Sequence, residues 1–333
     1  MAAGHEDTSM AGGARPCGQR ADVLAVVNRH LVYAGLCDTV KLAGHLMAAF
    51  SKYVATPILP SDPVVRLAAL MADHALSLYL AGLACAVLAA AGAWLLLRRI
   101  VKPSAPGSAL PPLQLILRFG LGLLALAGAG AVFAEIADEL SDGDAMGRFD
   151  EALAAHLSRT LQPGELRAFA WVTHLGDAAT LTALCVLVGV LLLLRGRRGM
   201  ALAWVLACAG GGLLNRLLKA TFERVRPVHD HGFAVADGFS FPSGHTSGAV
   251  VVYGMLAYLL LRQLAPRWHL PVAVATAALV FTIGFSRVML QVHWASDVLA
   301  GFASGTAWLL TCVLVTEWLR RPARTRGAIT AGR

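Results

Sequence analysis

The chain has 333 residues, 57% of them hydrophobic and only 14% charged, with a formal net charge of +8 and a mean hydropathy of +0.64. Soluble domains carry roughly 25% charged residues, so a water-soluble globular fold is excluded, as are a disordered chain and a collagen-like repeat. The positive balance comes from scarce acids rather than from basic stretches on a folded surface, which argues against nucleic acid as a partner and leaves the bilayer.

In chain order, Met1 to Gln19 is rich in Gly and Ala and reads as disordered, without the apolar core and cleavage site of a signal peptide. From Ala21 to Phe50, Val23, Val27, Leu31, Ala34, Leu42, Leu46 and Phe50 recur at helical spacing, while Arg29, His30, Asp38, Lys41 and His45 interrupt any span. An interfacial amphipathic helix is expected there, with an extra span as the second choice.

Seven stretches then meet the bilayer requirement of about 20 mostly apolar residues. They are Leu76–Leu97, Leu113–Ala134, Ala178–Leu194, Met200–Lys219, Thr246–Leu261, Trp268–Phe285 and Val298–Thr316. Connections after the odd-numbered spans carry Arg98, Arg99, Arg195, Arg197, Arg198, Arg262, Arg267 and a basic tail beginning at Arg320. By the positive-inside rule that face is cytoplasmic, and the acid-rich segment from Glu135 to Asp177 lies on the other. The domain reading is an N-terminal region over 1–75, an extra span with its cytoplasmic linker over 76–112, a core over 113–319 and a basic cytoplasmic tail over 320–333. Six cysteines form no CxxC pair, so neither a disulfide framework nor a zinc site is expected.

Three polar clusters fall at span ends on the non-cytoplasmic face. The first runs from Lys219 to Arg226 and Pro227 at the exit of the fourth span, and the second is Phe241-Pro242-Ser243-Gly244-His245, leading into the fifth. The third runs from Ser286 and Arg287 through His293 to Asp297, between the sixth and seventh. Lys219, Arg226 and Arg287 supply three cations, and guanidinium groups match phosphate oxygens in a fork. Ser243-Gly244 before a helix adds free N–H groups and the positive end of a helix dipole. His293 and Asp297, four apart, are expected on one helical face, so that the carboxylate holds one ring nitrogen and leaves the other bare; His245 is a second imidazole.

Two imidazoles, one carboxylate and several cations fit phosphoryl transfer. Phosphate monoester hydrolysis is slow enough to need acceleration of up to about 10^21, on the order of 28 kcal/mol, much of it from charge compensation. With no DxD, HExxH or calcium-loop pattern, side chains have to supply that charge. His174 and Asp177, beside Gly176, are expected to cap the third span. The run His229-Asp230-His231 reads as a polar loop rather than a metal site, and Trp171, Trp268, Trp294 and Trp318 as interface aromatics. Glu223 and Arg224 have no evident role.

The three clusters resemble the signature motifs of the type 2 phosphatidic acid phosphatase (PAP2) family, KxxxxxxRP, PSGH and SRxxxxxHxxxD, at every specified position. The resemblance spans roughly Leu113 to Leu319 and implies an all-α polytopic bundle with a six-helix core akin to vanadium haloperoxidases, plus one extra N-terminal span. It further implies that His293 becomes phosphorylated, that Asp297 orients it and that His245 protonates the leaving group. Lys219, Arg226, Ser243, Gly244 and Arg287 would hold phosphate, with no metal or other cofactor. The expected enzyme hydrolyses a lipid phosphate or pyrophosphate at the outer leaflet of the plasma membrane. A lipid phosphotransferase and, from another class, an anion transporter are the alternatives, and the oligomeric state is not legible.

Overall fold

The computed structural model describes residues 62–100, 112–142, 144–228 and 231–320; the amphipathic helix expected over 21–50 and the tail beyond 320 lie outside them. Asp62 opens helix α1 (Pro63–Asp73). Its carboxylate accepts the Val64 N–H at 2.9 Å, and Pro63 at the first helical position sacrifices no hydrogen bond. There follow α2 (Ala75–Ile100), α3 (Pro112–Asp142), α4 (Asp144–Thr160), α5 (Pro163–Thr173) and, after a short turn at His174–Gly176, α6 (Ala178–Leu194). The chain continues through α7 (Arg198–Phe222), α8 (Gly244–Leu261), α9 (His269–Met289) and α10 (Ala295–Leu319). No strand occurs among the described residues.

Seven helical stretches are long and apolar enough to cross a membrane: α2, α3, α5 continuing into α6, α7, α8, α9 with the turn before it, and α10. Their order is the one read from hydropathy, and the protein is an all-helical integral membrane protein. Leu88, Leu124 and Leu194 are well exposed, as side chains facing lipid must be.

The helices are not equivalent. Half of the α8 span is buried and almost none of the α2 span is, so α8 is the axis around which α7, α9 and α10 pack. Its contact with α10 is a backbone approach through Gly301 and Gly305, spaced four apart. A Cβ at Gly301 would lie 2.9 Å from the Ser243 carbonyl oxygen, and one at Gly305 2.9 Å from that of Ser247. Small residues at this spacing let membrane helices close on each other where lipid leaves no hydrophobic driving force. The extra span α2 packs against α9. Tyr79 lies among Phe169, Phe281 and Phe285, and its hydroxyl is 3.1 Å from Thr282 Oγ1.

The acid-rich segment between the second and third spans folds into α4 and α5. Val65, Ala68 and Ala72 of α1 share a core with Ala152, Leu153 and Leu157 of α4, with Leu166 and Phe169 of α5, and with Met289 at the end of α9 and Leu290 and Val292 just after it. Arg148 donates to Asp62 at 3.2 Å across the same pair of helices. This layer covers the end of the bundle where α7 and α9 finish and α8 and α10 begin. At the other end Glu317 accepts from Arg262 and from Tyr258.

Candidate active site

Helix α7 ends at Glu223, whose left-handed backbone (φ 46°) turns the chain outward. The extended stretch that follows carries Arg224 and Arg226 inward. Arg226 Nη1 donates to the Val292 carbonyl at 2.7 Å and lies 3.0 Å from His293 Nε2, and its other nitrogens meet the carbonyls of Asp237, Gly238 and Phe239. Lys219 Nζ donates to the carbonyls of Phe239 and Ser240. Backbone oxygens therefore hold both cations, and among the described residues neither they nor Arg287 form an ion pair with a carboxylate. Carboxylates act on them only from beyond ion-pair distance, which leaves three cations free to face an anion, as a site for a dianion requires.

Ser243 is the N-cap of α8 and Gly244 its first residue. The Ser243 hydroxyl does not cap the helix but accepts from Thr246 Oγ1 at 3.0 Å. The first N–H groups of the helix have no partner within it. A Cβ on Gly244 would lie 3.0 Å from Asn215 Oδ1 and 4.0 Å from Lys219 Cε, so the loop and the lysine are in near contact.

The third cluster departs from the helical pair expected of it. Gln291 has φ 50°, the chain leaves α9, and the N–H groups of Val292 and His293 both fold back onto the Arg287 carbonyl at 3.2 and 3.3 Å. His293 therefore precedes α10, while Asp297 sits one turn inside it as the third helical residue. Asp297 Oδ2 accepts the Trp294 N–H at 3.0 Å and His293 Nδ1–H at 3.2 Å. The carboxylate thus caps the helix and fixes the tautomer that leaves Nε2 bare, facing Arg226. Burial, with the nearby charges of Arg226, Arg287 and Lys219, holds the His293 imidazole well below its ordinary value, so the ring is neutral. Arg287 donates to Thr173 Oγ1 at 2.7 Å, and its Nε is a buried donor with no partner. Leaving such a donor unmade costs about 1–3 kcal/mol.

All eight residues singled out from the sequence, Lys219, Arg226, Ser243, Gly244, His245, Arg287, His293 and Asp297, gather at this one end of the bundle. Several partners were missed. Arg224 donates to Asp297 Oδ1 (2.7 Å), Ser296 Oγ (2.7 Å) and Asp150 Oδ2 (2.9 Å), and Ser296 also donates to Asp150. Burial pushes the Asp150 carboxyl up, against the hydrogen bonds from Ser296 and the charge of Arg224. Trp294 is more than an interface aromatic: its indole N–H donates to the Val225 carbonyl at 2.8 Å, and Arg224 lies over its ring. Asp177 does not use its side chain to cap α6; it accepts from His245 Nε2 at 2.8 Å and is 2.7 Å from His174 Nδ1. Among the described residues no three His, Cys, Asp or Glu side chains converge as a metal cage. The ring nitrogens of His231 lie on the Leu290 carbonyl and the Phe233 N–H.

A transmembrane helical bundle with such a site falls in the class of membrane phosphatases. The sequence profile of the PAP2 superfamily matches residues 198–321. Phosphatidylglycerophosphatase B of Bacillus subtilis is 34% identical over 163 residues, 47% of this chain and 77% of that protein. A lipid A 1-phosphatase of Rhizobium johnstonii is 34% identical over 183 residues, 45% of this chain and 71% of that one. The crystal structure of a transmembrane PAP2 type phosphatidylglycerolphosphate phosphatase from Bacillus subtilis superimposes with a TM-score of 0.55 at 30% identity, covering 59% of this chain and 98% of the other. The chain belongs to the PAP2 superfamily, and it is a membrane-embedded phosphoric ester hydrolase of the lipid phosphatase type.

Proposed function

We propose that the protein hydrolyses the phosphate monoester or pyrophosphate of a lipid at the extracytoplasmic leaflet of the plasma membrane, through a phosphorylated His293. The observation that carries this reading is the bare, neutral Nε2 of His293, held from behind by Asp297 and facing Arg226 at 3.0 Å. Lys219, Arg226, Arg287 and the first N–H groups of α8 bind the phosphate oxygens, and the unpaired Nε of Arg287 gains an acceptor. Nε2 attacks phosphorus, the P–O bond to the lipid breaks, and protonated His245 gives its proton to the departing oxygen. Water then attacks phosphorus, the N–P bond breaks, and His245 takes the proton back.

Relatives named for phosphatidylglycerophosphate and lipid A support a glycerophosphate or sugar phosphate on an acylated tail. The charge asymmetry supports the leaflet: the end of the bundle opposite the site carries Arg195, Arg197, Arg198, Arg262, Arg267 and Arg320. The test is purified protein in detergent micelles, offered a panel of lipid phosphates and pyrophosphates, with released phosphate measured and 32P on the chain sought in an alkaline quench. Wild-type protein releases phosphate from at least one of them and carries an acid-labile label; His293→Ala does neither while remaining folded. Undiminished turnover by His293→Ala refutes the mechanism.

A further inference from the structure

The motifs account for both histidines but not for what holds the second one. The turn His174–Gly176 and Asp177 are pressed onto the His245 ring. A Cβ at Gly176 would lie 3.0 Å from His245 Cδ2 and 3.3 Å from its Cβ, and the Tyr253 hydroxyl of α8 ties the turn down by donating to the Leu175 carbonyl at 2.8 Å. Glycine is the residue that permits this approach. From the turn, Asp177 reaches His245 Nε2 with Oδ1 at 2.8 Å and His174 Nδ1 with Oδ2 at 2.7 Å. Asp177 is the residue from which α6 starts, yet its carboxylate is spent on two imidazoles instead of on the helix.

We infer that Asp177 is a positioning residue for the proton-transfer step: by accepting Nε2–H it fixes the His245 ring and directs Nδ1 to the departing oxygen, and His174 steadies the carboxylate from the solvent side. This deepens the phosphatase reading above and rests on it. In the first step, with the phosphate dianion bound, both ring nitrogens of His245 carry protons. The negative charge of Asp177 stabilises that imidazolium, Nδ1–H goes to the lipid oxygen as its bond to phosphorus breaks, and the Nε2 proton stays on nitrogen, donated to the carboxylate. In the second step Nδ1 takes a proton from the attacking water and the imidazolium is restored. His245 therefore finishes the cycle as it began, and Asp177 never gives up or takes a proton. The arrangement repeats the His293–Asp297 pair on the other imidazole, from a different helix.

A merely structural role for Asp177 would slow all substrates alike, whereas a role in leaving-group protonation depends on the leaving group. The experiment compares kcat/KM, which reports steps up to P–O cleavage, for dioleoyl phosphatidic acid and p-nitrophenyl phosphate in the same detergent. An alkoxide must be protonated as it leaves; p-nitrophenolate departs without a proton. Asp177→Asn is expected to lower kcat/KM about 30-fold on phosphatidic acid and less than about threefold on p-nitrophenyl phosphate, within the range that general acid catalysis contributes. Should Asp177→Asn fail to fold, His174→Gln, at an exposed side chain, is expected to show the same split at about threefold. Equal losses on both substrates, or none on phosphatidic acid, overturn the assignment. Wild-type protein inert towards both substrates and towards the wider lipid panel would instead sink the phosphatase reading, and this assignment with it.

Discussion

Arg224 bridges two carboxylates that water scarcely reaches: the side chain of Asp150 is 1% exposed and that of Asp297 0%, and the guanidinium is 2.9 and 2.7 Å from them. Arg224→Ala removes the cation, three hydrogen bonds and the stack on Trp294, and leaves both acids facing each other across Ser296. Removing one partner of a buried pair costs about 3–5 kcal/mol, because the remaining charge is uncompensated. For a protein of this size that is a fall of roughly 5–15 °C in unfolding midpoint, measured by thiol-reactive dye in detergent. Activity is expected to fall as well, measured well below the midpoint, since Asp297 is the group that orients His293. Adding Asp150→Asn should recover part of the lost stability by removing one of the stranded acids. A midpoint within 2 °C of wild type for Arg224→Ala, or a double variant less stable than the single one, would refute this account of the network.

His293 is buried neutral, so its ring should stay unprotonated below the pH of about 6.5 at which an ordinary imidazole is half charged. The unfolded chain takes up that proton and the folded one does not, so stability should decline as pH drops below about 6.5; labelled-histidine NMR, assigned by comparison with His293→Gln, reads the midpoint, and a value at or above 6.5 contradicts it. Gly301→Ala pushes a methyl against the Ser243 carbonyl and should cost about 1–3 kcal/mol and displace the phosphate loop, cutting phosphate release; Gly92→Ala in α2, with nothing within 4 Å, should be silent. In a cysteine-free background, Val228→Cys, beside the site and 97% exposed, should react with a membrane-impermeant maleimide on intact cells, and Arg197→Cys only after lysis. The reverse pattern would put the site on the cytoplasmic side.

The two kinds of residue at this site differ in how far their role depends on neighbours. Lys219, Arg226, Arg287 and the two histidines stand in spaced motifs whose chemistry is visible in one dimension, because each cluster is local to one span end. Asp177, Arg224 and Asp150 carry no such mark. Asp177 meets His245 across 68 residues, Arg224 meets Asp297 across 73, and Asp150 meets Ser296 across 146. A lone aspartate before a helix looks like a cap, and an arginine at an unspecified position inside a motif shows no role of its own. The His293–Asp297 pair shows the converse: the spacing of four suggested a shared helical face, while the left-handed Gln291 places the histidine outside the helix and turns the aspartate back to meet it.

Hydropathy alone determined the seven stretches of the described residues that are long and apolar enough to cross a membrane, since a span needs only enough consecutive apolar residues to match a hydrocarbon slab of fixed thickness. The motifs, lying at span ends of one parity, put the chemistry at one end of the bundle. Which side chain meets which was decided by tertiary packing. The rotation of α10 against α8, permitted by Gly301 and Gly305, and the layer of α1, α4 and α5 over the bundle end bring Asp150 and Asp177 to the histidine–arginine cluster. A hydrogen bond survives only within a few tenths of an ångström and a narrow range of angles, so it depends on how helices close on one another, and no periodicity along the chain records that.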